Sequence, residues 1–207
     1  MRLMDLFSLF RRRPPIADLA ALAEFINDNA AFVAQKGIYE YSRARAGHYS
    51  KVMFQEESFL HAAELSRWRA FPLGLAMVTE LVEGILGRQD VRDRRLRLDA
   101  LNELVLAVFD RYPVPAAIGE LAWSAERAEL ANRLSLIALH PPKWAKDVPE
   151  PMVETYFNLM PIHEKLRKPD YPAIRNYLRV TMCNIHDELT KRMDAAAVVG
   201  SLNTQTG

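Results

Sequence analysis

The chain has 207 residues, half of them hydrophobic and 26% charged, and its 27 Lys and Arg against 26 Asp and Glu give a formal charge of +1. That balance is the balance of an ordinary globular domain; it argues against wholesale disorder, an integral membrane protein, and the strong overall basicity of a nucleic-acid binder. A single cysteine, Cys183, leaves no partner for an intramolecular disulfide and no thiolate cluster for a structural metal, and it fits a reducing, cytoplasmic setting.

Residues 1–15 form the first unit. Leu3, Leu6, Phe7 and Phe10 recur at helical spacing, Met4 and Leu9 widen the apolar surface, and Arg11, Arg12 and Arg13 follow. Asp5 and Ser8 interrupt the apolar run, and arginines and prolines stand where a signal peptide would place small residues, so the segment is expected to be retained. Its composition suits the headgroup layer of an anionic membrane, each cation adding about 1 kcal/mol. It suits a partner's groove, or the chain's own core, equally well. The membrane-docking candidates are therefore Leu3, Leu6, Phe7, Phe10, Arg11, Arg12 and Arg13, with a location in the cytoplasm or peripheral to the inner membrane. No stretch reaches the roughly 18 apolar residues that span a bilayer.

The remainder predicts an all-α fold: one domain over residues 16–194, an irregular bundle of five to seven helices, then a disordered tail over 195–207. Glycines number only eight, and between prolines the apolar residues return every three or four positions. A first helix starts after Pro14-Pro15, with Asp18 near its N-terminus, and ends around Gly47. Ser58 is positioned to cap a second, which Pro72 should bend or restart and Gly87 stop. A third covers residues 93–112, up to Pro113, and a fourth runs from Pro115 to Pro141-Pro142. Seven of the twelve prolines fall between 141 and 172, so short pieces are expected there, one around 151–159. A last helix over residues 171–193 buries Ile174, Tyr177, Leu178, Thr181, Ile185 and Leu189. The tail lacks aromatics and charge and reads as frayed.

The functional signal is concentrated in residues 36–49. At 100° per residue Phe25, Phe32, Lys36, Tyr39 and Arg43 fall within about 60° on one face, so a stripe runs from apolar to cationic. Lys36, Arg43, Arg45 and His48 offer donors, Tyr39, Tyr41 and Tyr49 offer flat surface, and Arg67-Trp68-Arg69 is a candidate second wall. The expectation is a common groove lined by Lys36, Tyr39, Arg43, Arg45, His48, Arg67, Trp68 and Arg69, accepting an anionic lipid or metabolite or a protein partner's helix. The plainer alternative pairs the arginines with Glu40, Glu64, Glu80 or Glu83 along the edge of the core.

Catalytic signatures are sparse. Glu80 and Glu83 are neighbours on one face and read as solvated carboxylates, because the Glu-x-x-His repeats of a di-iron bundle are missing. His48, His61, His140, His163 and His186 include no zinc-protease pair, and His163-Glu164 and His186-Asp187-Glu188 hold sequence neighbours that point about 100° apart. No nucleophile elbow, dinucleotide turn or phosphate loop occurs. The block from Arg88 to Arg97 is basic but carries Asp90 and Asp93, which disfavours nucleic acid. Residues 140–151 form a proline-stiffened arm around Trp144, expected to latch within the chain. The resulting expectation is a non-enzymatic binding or accessory protein without cofactor or metal, with homodimer packing open. Its rival is a hydrolase-like enzyme whose histidine and carboxylate are brought to within about 3 Å by the fold.

Overall fold

The computed structural model describes residues 14–88 and 94–205. The docking candidates Leu3, Leu6, Phe7, Phe10, Arg11, Arg12 and Arg13 lie outside the described residues, as does Arg92 of the basic block. Among the described residues seven helices build one bundle: α1 (Leu19–Ala46), α2 (Glu57–Leu86), α3 (Arg94–Phe109), α4 (Glu120–Leu136), α5 (Val153–Asn158), α6 (Tyr171–Arg192) and α7 (Ala195–Gln205). Single helical turns at Ser50–Met53 and Glu164–Arg167 and several 3-10 turns complete the connections. Among the described residues there is no strand; one isolated parallel bridge joins Ile16 to Met193.

Local chemistry explains the ends of α1. The Asp18 side chain accepts from the Ala21 amide at 2.8 Å, and Gly47 stops the helix at φ 55, a conformation glycine adopts freely, while its N–H reaches the Arg43 carbonyl. The start of α2 differs from expectation. It begins at Glu57, with extended Glu56 preceding it and no side-chain cap, instead of being capped by Ser58. Pro72 neither ends nor restarts it. From Ala70 to Glu83 every residue is buried, and α1, α3, α4, α6 and α7 all pack on this helix, so surrounding contacts hold the turn that proline weakens. Farther on, Gly119, at φ 81, delays α4 to Glu120, because residues 115–119 close a turn on the Pro115 carbonyl first.

The α1–α2 hairpin is the most extensive contact in the fold. Gly74 makes it possible: a Cβ there would stand 2.7 Å from the Ala30 carbonyl oxygen. Gly37 does the same for α5, since its missing side chain leaves room for the Tyr156 ring, whose hydroxyl donates to the Val33 carbonyl at 2.6 Å.

The tail requires a correction. Residues 195–205 are a packed helix, not a disordered extension. Asp194 caps it by accepting from the Ala197 amide at 3.1 Å, and Ala195, Val198 and Leu202 share one face that is buried against α1, α2 and α3. Small apolar residues without charge read as frayed in sequence; here they are an apolar face that the bundle covers. The domain therefore extends past 194.

Gly74→Ala should cost about 1–3 kcal/mol of unfolding free energy, because the intruding methyl meets backbone. Gly84→Ala, whose Cβ would meet only the Pro142 Cβ at 3.9 Å, should be neutral or stabilise by up to about 1 kcal/mol through helix propensity. Urea titrations of the two variants side by side check this; equal effects would refute the backbone-contact account.

Candidate functional site

Glu80 and Glu83 are not solvated carboxylates. They are 6% and 1% exposed, on the segment of α2 that is buried on all sides. Burial of a carboxylate demands a partner. Glu83 Oε1 receives Arg94 Nε at 2.9 Å and lies 4.0 Å from an Arg97 guanidinium nitrogen, Arg97 being itself only 2% exposed. Arg94 then extends its other donors to the carbonyls of Ile137 at 3.2 Å, Ala138 at 3.4 Å and His140 at 2.9 Å. One guanidinium thus joins the carboxylate of α2 to the start of α3 and to the terminal carbonyls beyond α4.

Glu80 meets Lys143 Nζ at 2.8 Å and His140 Nε2 at 3.8 Å, beside a cavity of about 170 Å³ that Arg133, Ile137 and Met152 also line. This is the histidine–carboxylate approach on which a hydrolase-like reading turns. Lys143 sits closer to the carboxylate than the imidazole does, and the lining of this cavity holds no serine, threonine or cysteine. His163 caps a single helical turn by accepting from the Lys165 amide at 3.3 Å. Burial, reinforced by Arg88, holds the His186 imidazole below its ordinary value, with Asp187 opposing. Among the described residues no group of three or more His, Cys, Asp or Glu side chains is arranged to hold a metal ion.

The eight residues expected to share a groove are dispersed. Lys36 Nζ stands 4.9 Å above the Phe32 ring, and Tyr39 packs against Phe54. Arg43 is exposed beside Glu40 at 3.5 Å, and His48 is exposed against the Tyr49 ring. Arg45 donates to the Leu166 carbonyl at 2.5 Å and lies 3.3 Å from Asp170, which also accepts from the Tyr41 hydroxyl at 2.9 Å. Partial burial, followed by that bond to Asp170, pushes the Tyr41 phenol up to about 12. The Arg67 guanidinium lies over the Trp68 ring, and Trp68 belongs to an aromatic cluster with Phe71, Tyr112 and Trp123. Arg69 faces Glu126 at 4.0 Å and lines a cavity of about 320 Å³ against α4 and α5.

Lys36 and Arg69 therefore line separate cavities, and the other six line neither. Neither of these cavities gathers the eight residues of the sequence reading. Phe25, Phe32 and Lys36 of the α1 stripe share one hollow, whereas Trp68 packs on Tyr112 and Trp123 and Arg69 faces Glu126 of α4.

A different groove is present. Between α1 and α6 lies a depression of about 1210 Å³, one wall carrying Phe25, Phe32 and Lys36, the other Tyr177, Val180 and Ile185. Phe32 is 44% and Val180 50% exposed, and both face this one hollow. Its charged groups are four acids, Asp18, Glu24, Asp28 and Glu188, and two bases, Lys36 and Arg192. Glu24 takes Arg111 at 2.6 Å and Glu188 pairs with Arg192 at 2.5 Å. Sequence reasoning found the Phe25–Phe32–Lys36 stripe and missed the opposite wall. Val180 was the available signal, a branched apolar residue outside the buried stripe of the last helix.

Comparison of the chain with protein-family models, curated proteins and solved structures finds no match. No helix among the described residues is long and apolar enough to cross a membrane.

Glu83→Ala should destabilise the fold by about 3–5 kcal/mol, because Arg94 and Arg97 then lose their buried counter-charge. Arg43→Ala, removing one side of an exposed pair, should change stability by no more than about 0.5 kcal/mol. Thermal unfolding of both variants checks the assignment; a tolerated Glu83→Ala would show that the carboxylate is not needed by the fold.

Proposed function

We propose that the chain is a non-enzymatic helical binding or accessory protein, and that the α1–α6 groove accepts an amphipathic helix from a protein partner, apolar on one side and basic on its flanks. The observation that carries this reading is the pair of half-exposed apolar side chains, Phe32 and Val180, facing each other across a hollow with an excess of acid. Fully burying a side chain of this size contributes about 1.5–3 kcal/mol, so covering what remains exposed on the two supplies roughly half of that each. From Asp18 to Lys36 the wall of α1 rises about 27 Å at 1.5 Å per residue, room for a helix of three to five turns.

Charge supports one of the two ligand classes. An anionic amphiphile would find Lys36 as its main cation and meet Asp28 along the same wall, Glu24 being already held by Arg111. A cationic helix gains from Asp28, and rim charges act chiefly on association rate and specificity.

The test uses a fluorescent amphipathic peptide built of leucine and lysine and follows its anisotropy on titration with the full chain. Phe32→Ser and Val180→Ser are each expected to weaken binding about tenfold, or 1.4 kcal/mol, with melting temperatures within a few degrees because both side chains are half outside the core. Added salt should weaken binding further. Tighter binding of a leucine–glutamate peptide, or of a long-chain fatty acid displaced by neither substitution, would overturn the proposal.

A further inference from the structure

At the C-terminal end of α1 the chain turns basic. From Tyr41 to Gln55 it carries Arg43, Arg45 and Lys51 and no acid. A second stretch, from His163 to Asp170, adds Lys165, Arg167 and Lys168 against Glu164 and Asp170. Arg45 joins the two stretches: it donates to the Leu166 carbonyl at 2.5 Å and lies 3.3 Å from Asp170, whose charge it offsets. Arg167 is turned to the carbonyls of Met160 and Ile162, and Glu164 is the exposed acid of its stretch. The turn at Ser50–Met53 is anchored by Phe54, whose ring centroid lies 5.9 Å from that of Tyr39 and 5.0 Å from that of Phe59. The side chains left outward are mixed in kind. Tyr49, Val52 and Leu166 are each more than half exposed. Lys51, Lys165 and Lys168 are exposed and hold no ion pair among the described residues. None of these six lines the groove or either smaller cavity, so this surface is separate from the proposed helix site.

We propose that this end of the bundle seats the protein on an anionic phospholipid surface, Tyr49, Val52 and Leu166 entering the headgroup layer and Lys51, Lys165 and Lys168 meeting the lipid anions. The mixture of side chains selects this partner. Lysines alone would suit any polyanion, but a nucleic acid or an acidic peptide would leave Val52 and Leu166 in water. A bilayer offers negative charge at its surface and apolar chains just beneath, which matches cations interleaved with protruding apolar groups. Tyr49 adds a ring with a polar tip, the kind of side chain that partitions to the level of the headgroups. Lysine is suited to the rest, since its flexible stem lies along apolar surface while the ammonium reaches outward. Arg45 has a different part. It is a positioning residue, holding the two stretches together so that both present their groups at one end of α1.

The experiment sediments the full chain with vesicles of phosphatidylcholine mixed with phosphatidylserine, and with vesicles of phosphatidylcholine alone. Binding is expected to the first and to fall with added salt. Each lysine removed should weaken partitioning about fivefold, so Lys51→Gln/Lys165→Gln/Lys168→Gln should lose about a hundredfold. Tyr49→Ser/Val52→Ser should lose about tenfold, with a melting temperature within a few degrees because both side chains lie outside the core. A local readout accompanies these. An environment-sensitive fluorophore on Val52→Cys, in the Cys183→Ser chain, should shift to the blue when the mixed vesicles are added, whereas the same fluorophore on native Cys183, exposed on α6, should not. Vesicle binding that both patch variants retain would overturn the proposal, including the case in which Arg11→Gln/Arg12→Gln/Arg13→Gln abolishes it. So would a blue shift at Cys183 without one at position 52. Lysine-dependent binding to polyglutamate or duplex DNA without binding to the vesicles would assign the surface to another polyanion and equally overturn it.

Discussion

Burial of α2 on every side is the constraint from which the remaining architecture follows. Fourteen consecutive residues from Ala70 to Glu83 are withdrawn from water, and two of them, Glu80 and Glu83, are acidic. An ionised carboxylate in such a place costs several kcal/mol unless it is paired. The partners come from three other places in the chain: Arg94 and Arg97 on α3, Lys143 in the proline-rich arm, and His140 at the junction between that arm and α4. Pairing them holds α3, the chain beyond α4 and the arm against α2. A buried ion pair contributes little net stability over an apolar substitute of equal volume, so its contribution here is to specify which segments meet.

The arm illustrates how the same economy of charge continues outward. Val148 is buried, Glu150 accepts from Arg175 at 2.9 Å and from Arg179 at 2.7 Å, and Asp147 lies 3.6 Å from Arg179, which together fasten the arm to α6. The guanidinium of Arg175, and then that of Arg179, holds the Glu150 carboxyl below the usual carboxylate range. Trp144, by contrast, is 76% exposed. Latching within the chain is accomplished by Val148 and ion pairs, and the tryptophan that drew attention in the sequence takes no part in it.

Both walls of the groove derive their spacing from these fixed elements. At one end Gly37 of α1 admits the rings of Tyr156 and Tyr177, which brings α1 and α6 together there. At the other end Pro14 is held by Arg192 at the last turn of α6. Between these two contacts lies the hollow that the half-exposed Phe32 and Val180 line.

Much of the framework was legible from local sequence. Asp18 before α1, Gly47 after it, the stripe of Phe25, Phe32 and Lys36, and the buried face of the last helix are all consequences of helical periodicity and cap chemistry, which act over a few residues. What the sequence left open depends on partners far away along the chain. Whether Glu83 is solvated or buried is decided by Arg94 and Arg97, which α3 carries to it; whether Ala195, Val198 and Leu202 fray or pack is decided by α1, α2 and α3 offering them a surface; whether Arg69 joins Lys36 or Glu126 is decided by where α4 lies. Periodicity fixes which residues share a face, because the rotation per residue is a property of the backbone. What each face meets is set by the sum of all packing and charge-pairing terms over the whole chain, and only the assembled bundle resolves that sum.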